Sequence, residues 1–221
     1  MGSDDFFHKR KAKTANDLAR KKEKRPSYER VLIVCEGEKT EPNYFQELVD
    51  CLELNTANVE IDGSCGSSPI SVVNHAKHLY QEEKKTGDSY NKVFCVFDKD
   101  THTTYDAALL LIKNSKPKGV FEAANSVPCF EYWLLLHFIY TTKAYAANGG
   151  KSSCGNLISD LKQYLPGYDK GDKGIYSQVA DQTNQAIAFS KRSLAQAIAH
   201  GADNPTTYIH ELVEYLQNLK K

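Results

Sequence analysis

Acidic side chains follow two apolar segments of the sequence, at the point where each segment ends. Glu36 comes directly after Val31–Cys35, and Asp98 and Asp100 end the run that begins at Val93. Mg²⁺ prefers oxygen ligands and needs only one or two carboxylates from a protein when phosphate and water supply the rest. A further carboxylate beside the ion can orient an attacking water or serve as general acid and base. The pattern therefore predicts a divalent-metal site.

The residues that flank these acids predict the strands and the helix that position them. Both apolar runs have the length and β-branched content of strands buried on two faces, as in a parallel sheet. Pro42 fits a first helical turn with Thr40 as its N-cap, so Glu36 falls between a central strand and a helix. Open α/β folds place their sites at this edge. Asp98 and Asp100 are expected to project to one side of an extended segment.

Three neighbours of Glu36 extend the predicted site. Glu38 and Glu41 lie within about one helical turn and are candidates for holding a second ion. Lys39 is a candidate for neutralising charge that develops in a transition state. Each acidic motif alone is usually a surface turn or a helix cap. Their combination at the ends of two buried strands is what favours a site.

A buried segment supplies one more candidate acid. Pro128–Tyr140 is apolar on every face if it is helical, and so must lie inside the protein. Glu131 within it has a simple interpretation, a carboxylate favoured by the dipole of a first helical turn. Its aromatic neighbours make desolvation costly unless a metal or a lysine pairs with it, and we favour that interpretation. His137 is predicted to be a core histidine rather than a ligand.

The rest of the chain predicts an α/β fold: a doubly wound, mostly parallel sheet flanked by helices, with a helical C-terminal extension. Segment Asn58–Asp62 and the weaker Val120–Ala123 are predicted strands, and helices are predicted from Pro69 and from His102. No strand pattern appears beyond Thr141. The predicted helices there are Leu157–Tyr164, Tyr176–Ser190 and Thr206–Leu219, and the predicted domains are a basic arm (1–29), the α/β domain (30–140) and the helical extension (141–221).

Composition bounds the class of protein. The 221 residues carry equal numbers of basic and acidic side chains, 28 of each. No apolar run reaches the roughly 18 residues of a membrane span, and no secretory leader pattern opens the chain. A cytoplasmic protein with no membrane contact is therefore predicted. The six cysteines show no paired metal-ligand spacing, and we expect them to be reduced packing residues.

Basic residues are concentrated near the N-terminus. Such an arm can hold a phosphate backbone through counterion release, although a solvated leader has the same composition. A later loop, Pro166–Gly174, carries two lysines that could contact phosphate or simply face solvent. The candidate nucleic-acid-binding residues are Lys9, Arg10, Lys11, Lys13, Arg20, Lys21, Lys22, Lys24, Arg25, Lys170 and Lys173.

Four stretches resemble a known family. A strand ending in Glu-Gly and a later strand ending in Asp-x-Asp resemble the TOPRIM domain of topoisomerases, primases and several nucleases. The segments IVCEGEKTEPNYF, VFDKDTH, NSVPCFEYWLLLHF and NPTT, in this order, resemble the RloB-like family over nearly all of the chain after the basic arm. The TOPRIM-like fold is the implied architecture.

The resemblance implies a nuclease that uses Mg²⁺, with Mn²⁺ as a substitute, and acts in abortive infection against phage. Glu36 would be general acid/base or ligand, Asp98 and Asp100 ligands, and Glu131 a further acid. A phosphate-binding loop motif is absent, so any ATPase would be a separate partner. RNA, especially tRNA, is favoured over DNA by analogy, and the oligomeric state is open, with a homodimer among the alternatives. The competing hypotheses are a nucleic-acid- or nucleotide-binding module that is silent without a partner or signal, and, ranked last, a structural α/β protein.

Overall fold

A computed structural model describes residues 29–219 of the chain. The strands in this part are β1 (Val31–Cys35), β2 (Val59–Asp62), β3 (Lys92–Asp98), β4 (Phe121–Val127) and β5 (Thr206–Thr207). The helices are α1 (Thr40–Cys51), α2 (Pro69–Thr86), α3 (Tyr105–Asn114), α4 (Glu131–Leu135), α5 (Ser153–Leu161), α6 (Ile175–Val179), α7 (Thr183–Ala199) and α8 (Ile209–Asn218). The candidate nucleic-acid contacts from Lys9 to Arg25 lie outside the described residues.

The five strands form one sheet in the order β2-β1-β3-β4-β5. The first four strands pair in parallel, and β5 pairs antiparallel with β4. The predicted α/β class with a mostly parallel sheet is confirmed, and the architecture is consistent with a TOPRIM-like fold. Strand order reverses between β1 and β3, which makes their carboxyl ends the crevice where ligands bind in open α/β sheets.

Helices cover both faces of the sheet because side chains alternate along each strand. In β1, Val31, Ile33 and Cys35 belong to one hydrophobic core, shared with α1 and most helices after α3. Leu32 and Val34 belong to the other core, under α2 and α3. All of β1 is buried, as predicted for a central strand. The sheet edge that carries the acids is thereby held rigidly from both sides.

The second half of the chain departs from the predicted elements. Residues Thr206–Thr207 form strand β5 instead of opening a helix, and α8 begins only at Ile209, so the prediction of no strand beyond Thr141 is wrong. Two residues cannot show the period of two that identifies a strand in sequence. The predicted helix Leu157–Tyr164 is α5, displaced toward its N-terminus. The predicted helix Tyr176–Ser190 is divided into α6, a 3₁₀ turn and α7.

Two local predictions also fail. Thr40 is the first helical residue of α1, and the N-cap position belongs to Lys39, whose side chain makes no capping hydrogen bond. Within Pro128–Tyr140 only Glu131–Leu135 is α-helical, although the segment is largely buried as expected. The apolar composition of this segment reflects its burial, and a buried segment can consist of turns as well as of a long helix.

Among the helices of the described residues, none combines the length and hydropathy needed to cross a bilayer.

Candidate functional site

Glu36 connects the ends of β1 and β3. Its backbone N–H donates to the Val96 carbonyl at 3.0 Å. Its carboxylate Oε2 accepts a hydrogen bond from the backbone N–H of Asp98 at 3.0 Å. His102 Nε2 lies 2.9 Å from the other oxygen, Oε1. The two strand ends are therefore joined through one carboxylate at the switch point of the sheet.

Two glycines let the loops at this edge approach one another. A Cβ added at Gly37 would lie 2.7 Å from Glu41 Oε2, and a Cβ at Gly63 would lie 2.6 Å from the Gly37 carbonyl oxygen. A side chain at Gly63 would force the two loops apart, whereas one at Gly37 would displace the end of the Glu41 side chain. Beside them opens a cleft of about 510 Å³. Its lining residues are Glu36, Gly37, Glu38, Lys39, Thr40, Gly63, Gly66, Ser67, Lys170 and Gly171.

Glu131 reaches the same edge from the start of α4. It is 1% exposed and accepts a hydrogen bond at Oε1 from the Tyr168 hydroxyl at 2.8 Å. Lys170 Nζ lies 3.3 Å from the same oxygen. Asn43 in α1 donates to the Gly171 carbonyl at 3.0 Å and holds this loop against the site. A lysine is therefore the partner that the buried carboxylate requires.

The pKa values show that these acids share one electrostatic environment. Burial raises the pKa of Asp98 well above its usual range, and Glu41, Glu131 and Glu36 raise it further. Burial raises the pKa of Glu41 to about 7, with a further contribution from Glu131. Burial also raises the pKa of Glu36, against the opposing effects of the Asp98 N–H and His102.

Lys170 counteracts part of this repulsion. Burial alone would lower its pKa, but Glu131 and Asp98 outweigh that effect, and the pKa of Lys170 is raised. The same ammonium lowers the pKa of Glu36, Glu41 and Asp98. The site is thus a carboxylate cluster of Glu36, Glu41, Asp98 and Glu131 around one lysine. Added positive charge would relieve the repulsion that remains.

Asp100 is placed differently from the prediction. Strand β3 ends at Asp98, and Asp100 lies in a turn with φ of 30°, so the two acids do not share one side of an extended strand. Its N–H donates to the Pro128 carbonyl at 3.0 Å, and the Ser153 hydroxyl lies 3.5 Å from its Oδ1. Asp100 is exposed, yet its charge still raises the pKa of Glu36.

The other predicted site residues lie at the rim or outside it. Glu38 and Lys39 are exposed in the cleft lining, and Lys39 packs beside Gly171, where an added Cβ would lie 3.1 Å from its side chain. Lys173 is exposed, whereas Lys170, predicted to contact phosphate, is directed at Glu131.

The sequence left open whether His102 takes part in the site, and it did not indicate Tyr168 as a partner of Glu131. It predicted His137 to be a core histidine. His102 stands two residues after Asp100, so its place in VFDKDTH was a usable signal. Tyr168 is 37 residues from Glu131, and no local pattern links them. His137 is fully buried, its Nδ1 lies 3.0 Å from the Trp133 carbonyl, and burial lowers its pKa to about 4.

Two cysteines adjoin the carboxylate cluster. The structure joins Cys129 and Cys154 in a disulfide with a Cα–Cα distance of 5.8 Å, so the expectation of six reduced cysteines is wrong for this pair. Their separation of 25 residues conceals the pairing from the sequence. Within the described part of the chain, three potential ligands that lie within 4.8 Å of one another are Cys129, Glu131 and Cys154. Among the described residues, Glu36, Glu41, Asp98 and Asp100 do not form a group whose ligand atoms all lie this close together.

A second groove, of about 630 Å³, lies beside β4, α3, α7 and α8. None of the predicted site residues is among those that line it. Although it is larger than the cleft at Glu36, its lining includes no member of the carboxylate cluster, whereas Glu36 lines the cleft, and we place the candidate site at the cleft.

Comparison with known proteins gives one result. The family model described as "RloB-like protein" matches residues 31–216. No curated protein matches the chain, and no solved structure does. The matched range begins with β1, ends within α8, and includes every residue of the carboxylate cluster. The chain therefore belongs to the RloB-like family.

Proposed function

We propose that this protein hydrolyses phosphodiester bonds in nucleic acid with the help of Mg²⁺ or Mn²⁺. The observation that carries the proposal is the carboxylate cluster at the switch point of the sheet, held around Lys170 beside an open cleft. Acids whose pKa values are raised by mutual repulsion and burial are characteristic of functional sites.

The donor set fits a hard divalent cation. Asp98, Glu41 and Asp100 would hold it, and Glu38 at the rim would hold a second ion. All of these offer oxygen, which Mg²⁺ prefers, and an incompletely closed set suits an ion that retains water and takes substrate oxygens. When bound, the ion supplies Lewis-acid polarisation of the phosphoryl group and a more acidic water.

The remaining chemistry falls to the protein's own side chains. Glu36 is the general acid/base, because His102 and the Asp98 N–H fix both of its oxygens. A base held at this orientation can take a proton from an attacking water. Lys170 is the cation available to offset charge on the phosphoryl oxygens, and its ion pair with Glu131 makes it a better candidate than Lys39. Glu131, held by Tyr168, keeps Lys170 in place.

Nucleic acid as substrate is supported by the basic residues Lys9–Arg25 of the sequence and by the open form of the cleft. The proposal includes a role in defence against phage and a separate ATPase partner, both from the family resemblance alone. RNA, with tRNA foremost, is favoured over DNA on the same ground. A cytoplasmic location is part of the same proposal.

A cleavage assay tests the proposal. The full-length protein is incubated with total tRNA, single-stranded DNA and plasmid DNA, with Mg²⁺ or Mn²⁺ and with chelator. Asp98→Asn is expected to remove cleavage while the fold, followed by circular dichroism, is kept. Asp50→Asn is the matched control, because Asp50 is exposed on α1 and contacts Gln46 instead of the cluster.

Cleavage that survives in both Asp98→Asn and Glu36→Gln would refute the site assignment. Binding of Mn²⁺ without cleavage of any substrate would instead favour the second hypothesis, a binding module that acts only with a partner. The position of Lys170 supports that alternative, because its ammonium already neutralises part of the negative charge that would otherwise attract a metal ion.

A further inference from the structure

The Cys129–Cys154 disulfide touches the carboxylate cluster directly. Cys154 Sγ lies 3.4 Å from Glu131 Oε2, the oxygen that Tyr168 and Lys170 leave free. Cys129 stands two residues before Glu131, and Cys154 lies in the first turn of α5. The bond therefore ties α5 to the start of α4, the point from which Glu131 enters the site.

The redox state of this pair changes what Glu131 can do. A disulfide sulfur carries no proton, so in the oxidised form Oε2 receives no hydrogen bond from it and stays available to the cluster. A Cys154 thiol is a donor, and at this position its S–H would be directed to Oε2. Reduction also releases the tie between α4 and α5, whose first residue, Ser153, contacts Asp100. Both consequences act on acids of the proposed site.

We propose that Cys129 and Cys154 are a reversible thiol–disulfide site whose oxidised form positions Glu131 for the hydrolysis proposed above, on which this inference rests. The two cysteines are positioning residues, since Cys154 contacts Glu131, Cys129 is bonded to Cys154, and neither touches a reacting atom. Disulfides of cytosolic proteins are usually transient and serve catalysis or redox sensing, so the dithiol would be the resting form in a cytoplasm. Oxidation would then raise the activity.

The chemistry balances with a hydroperoxide as oxidant. One cysteine thiolate attacks the peroxide O–O bond, which gives a sulfenic acid and an alcohol or water. The second thiol attacks that sulfur, the S–S bond forms, and water leaves. A dithiol reductant returns two electrons and two protons through a mixed disulfide and leaves as its own disulfide. Cys129 is 1% and Cys154 6% exposed, but Cys154 is only two residues from the exposed Ser152.

The test compares the full-length protein after treatment with hydrogen peroxide and after treatment with dithiothreitol, each reagent being removed afterwards. Alkylation in denaturant should modify all six cysteines of the reduced protein but spare Cys129 and Cys154 after oxidation, with the cross-linked peptide identified by mass spectrometry. Mn²⁺ affinity and cleavage are then measured on both forms. We expect both to be about tenfold weaker in the reduced form, because release of α5 loosens the contact of Ser153 with Asp100, a proposed metal ligand, and loss of such a supporting contact weakens metal binding by about this factor.

Variants separate the redox effect from a simple loss of structure. Cys129→Ser and Cys154→Ser should bind Mn²⁺ at the reduced level under both treatments, because no bond forms and a donor remains at Cys154 or its serine. Cys51→Ser, at an exposed free cysteine, should keep the full redox response.

The other possible results distinguish the redox site from the proposed hydrolysis. Alkylation of Cys129 and Cys154 after peroxide treatment, or equal Mn²⁺ affinity in the two forms, would overturn the redox site. Redox-dependent Mn²⁺ affinity without cleavage would support the redox site and tell against the hydrolysis, so the two proposals fail separately.

Discussion

Replacement of Glu41 by Gln should stabilise the metal-free protein at neutral and alkaline pH. Glu41 lies in the first turn of α1, and its side chain meets the loop at Gly37. Burial and the charge of Glu131 raise its pKa from 4.5 to about 7. A glutamine has nearly the same shape but carries no charge. The substitution therefore removes a repulsion without opening a cavity.

The size of the effect follows from linkage between protonation and folding. The folded protein holds the Glu41 proton up to about pH 7, whereas the unfolded chain releases it near pH 4.5. The contribution of the wild-type carboxyl is thus fully present below pH 4.5 and is lost as pH rises through 7. A shift of this size corresponds to about 3 kcal/mol. The stabilisation by Glu41→Gln should be near zero below pH 4.5 and approach this value above pH 7.

Urea denaturation of both proteins at pH 4.5 and pH 8, with chelator present, measures the difference. Glu38→Gln is the matched control, because Glu38 is exposed in the same loop, and its effect should stay within about 0.5 kcal/mol at both pH values. Mn²⁺ should reduce the advantage of Glu41→Gln, since a bound cation stabilises the carboxylate. A gain of equal size at both pH values, or a loss at pH 8, would refute the assignment of Glu41 to the charged cluster.

Lys170→Met leaves the buried Glu131 carboxylate without its ammonium partner and should lower the free energy of unfolding at pH 8 by about 1–3 kcal/mol. Denaturation with and without Mn²⁺ measures this loss, which Mn²⁺ should reduce. An equal loss in the control Lys173→Met would contradict the role of Lys170 as the partner of Glu131. Gly63→Ala should lower the free energy of unfolding by about 1–3 kcal/mol, because its Cβ would lie 2.6 Å from the Gly37 carbonyl oxygen. Gly167→Ala is the control, because its Cβ would meet nothing within 4 Å, and its thermal unfolding should be nearly unchanged. Equal melting temperatures for these two variants would show that the loops yield easily. Deletion of residues 1–25 should weaken nucleic-acid binding and flatten its dependence on salt concentration, since fewer counterions are released; a binding titration at several salt concentrations with an unchanged slope would identify the segment as a solvated leader.

Much of the fold was accessible to sequence reasoning because local patterns carried it. The apolar runs that become β1 and β3 were recognised by their length and β-branched content, and α2 by its proline at the first position and its apolar face. Right-handed connections between parallel strands then left few arrangements of the sheet. The short strand β5 escaped, because it exists only through its pairing with Ser126 and Val127 of β4.

The order of residues along the chain was enough to place Glu36 and Asp98 at the ends of two buried strands that converge at one edge of a parallel sheet. This follows from local periodicity and from the order of elements along the chain, which the residues themselves encode. Long-range packing supplies the side chains that complete the site: His102 on Glu36, and Tyr168, Lys170 and the Cys129–Cys154 disulfide on Glu131. The contacts of Tyr168, Lys170 and Cys154 with Glu131 join residues more than 20 positions apart and depend on how loops fold back over the sheet, which no local pattern specifies.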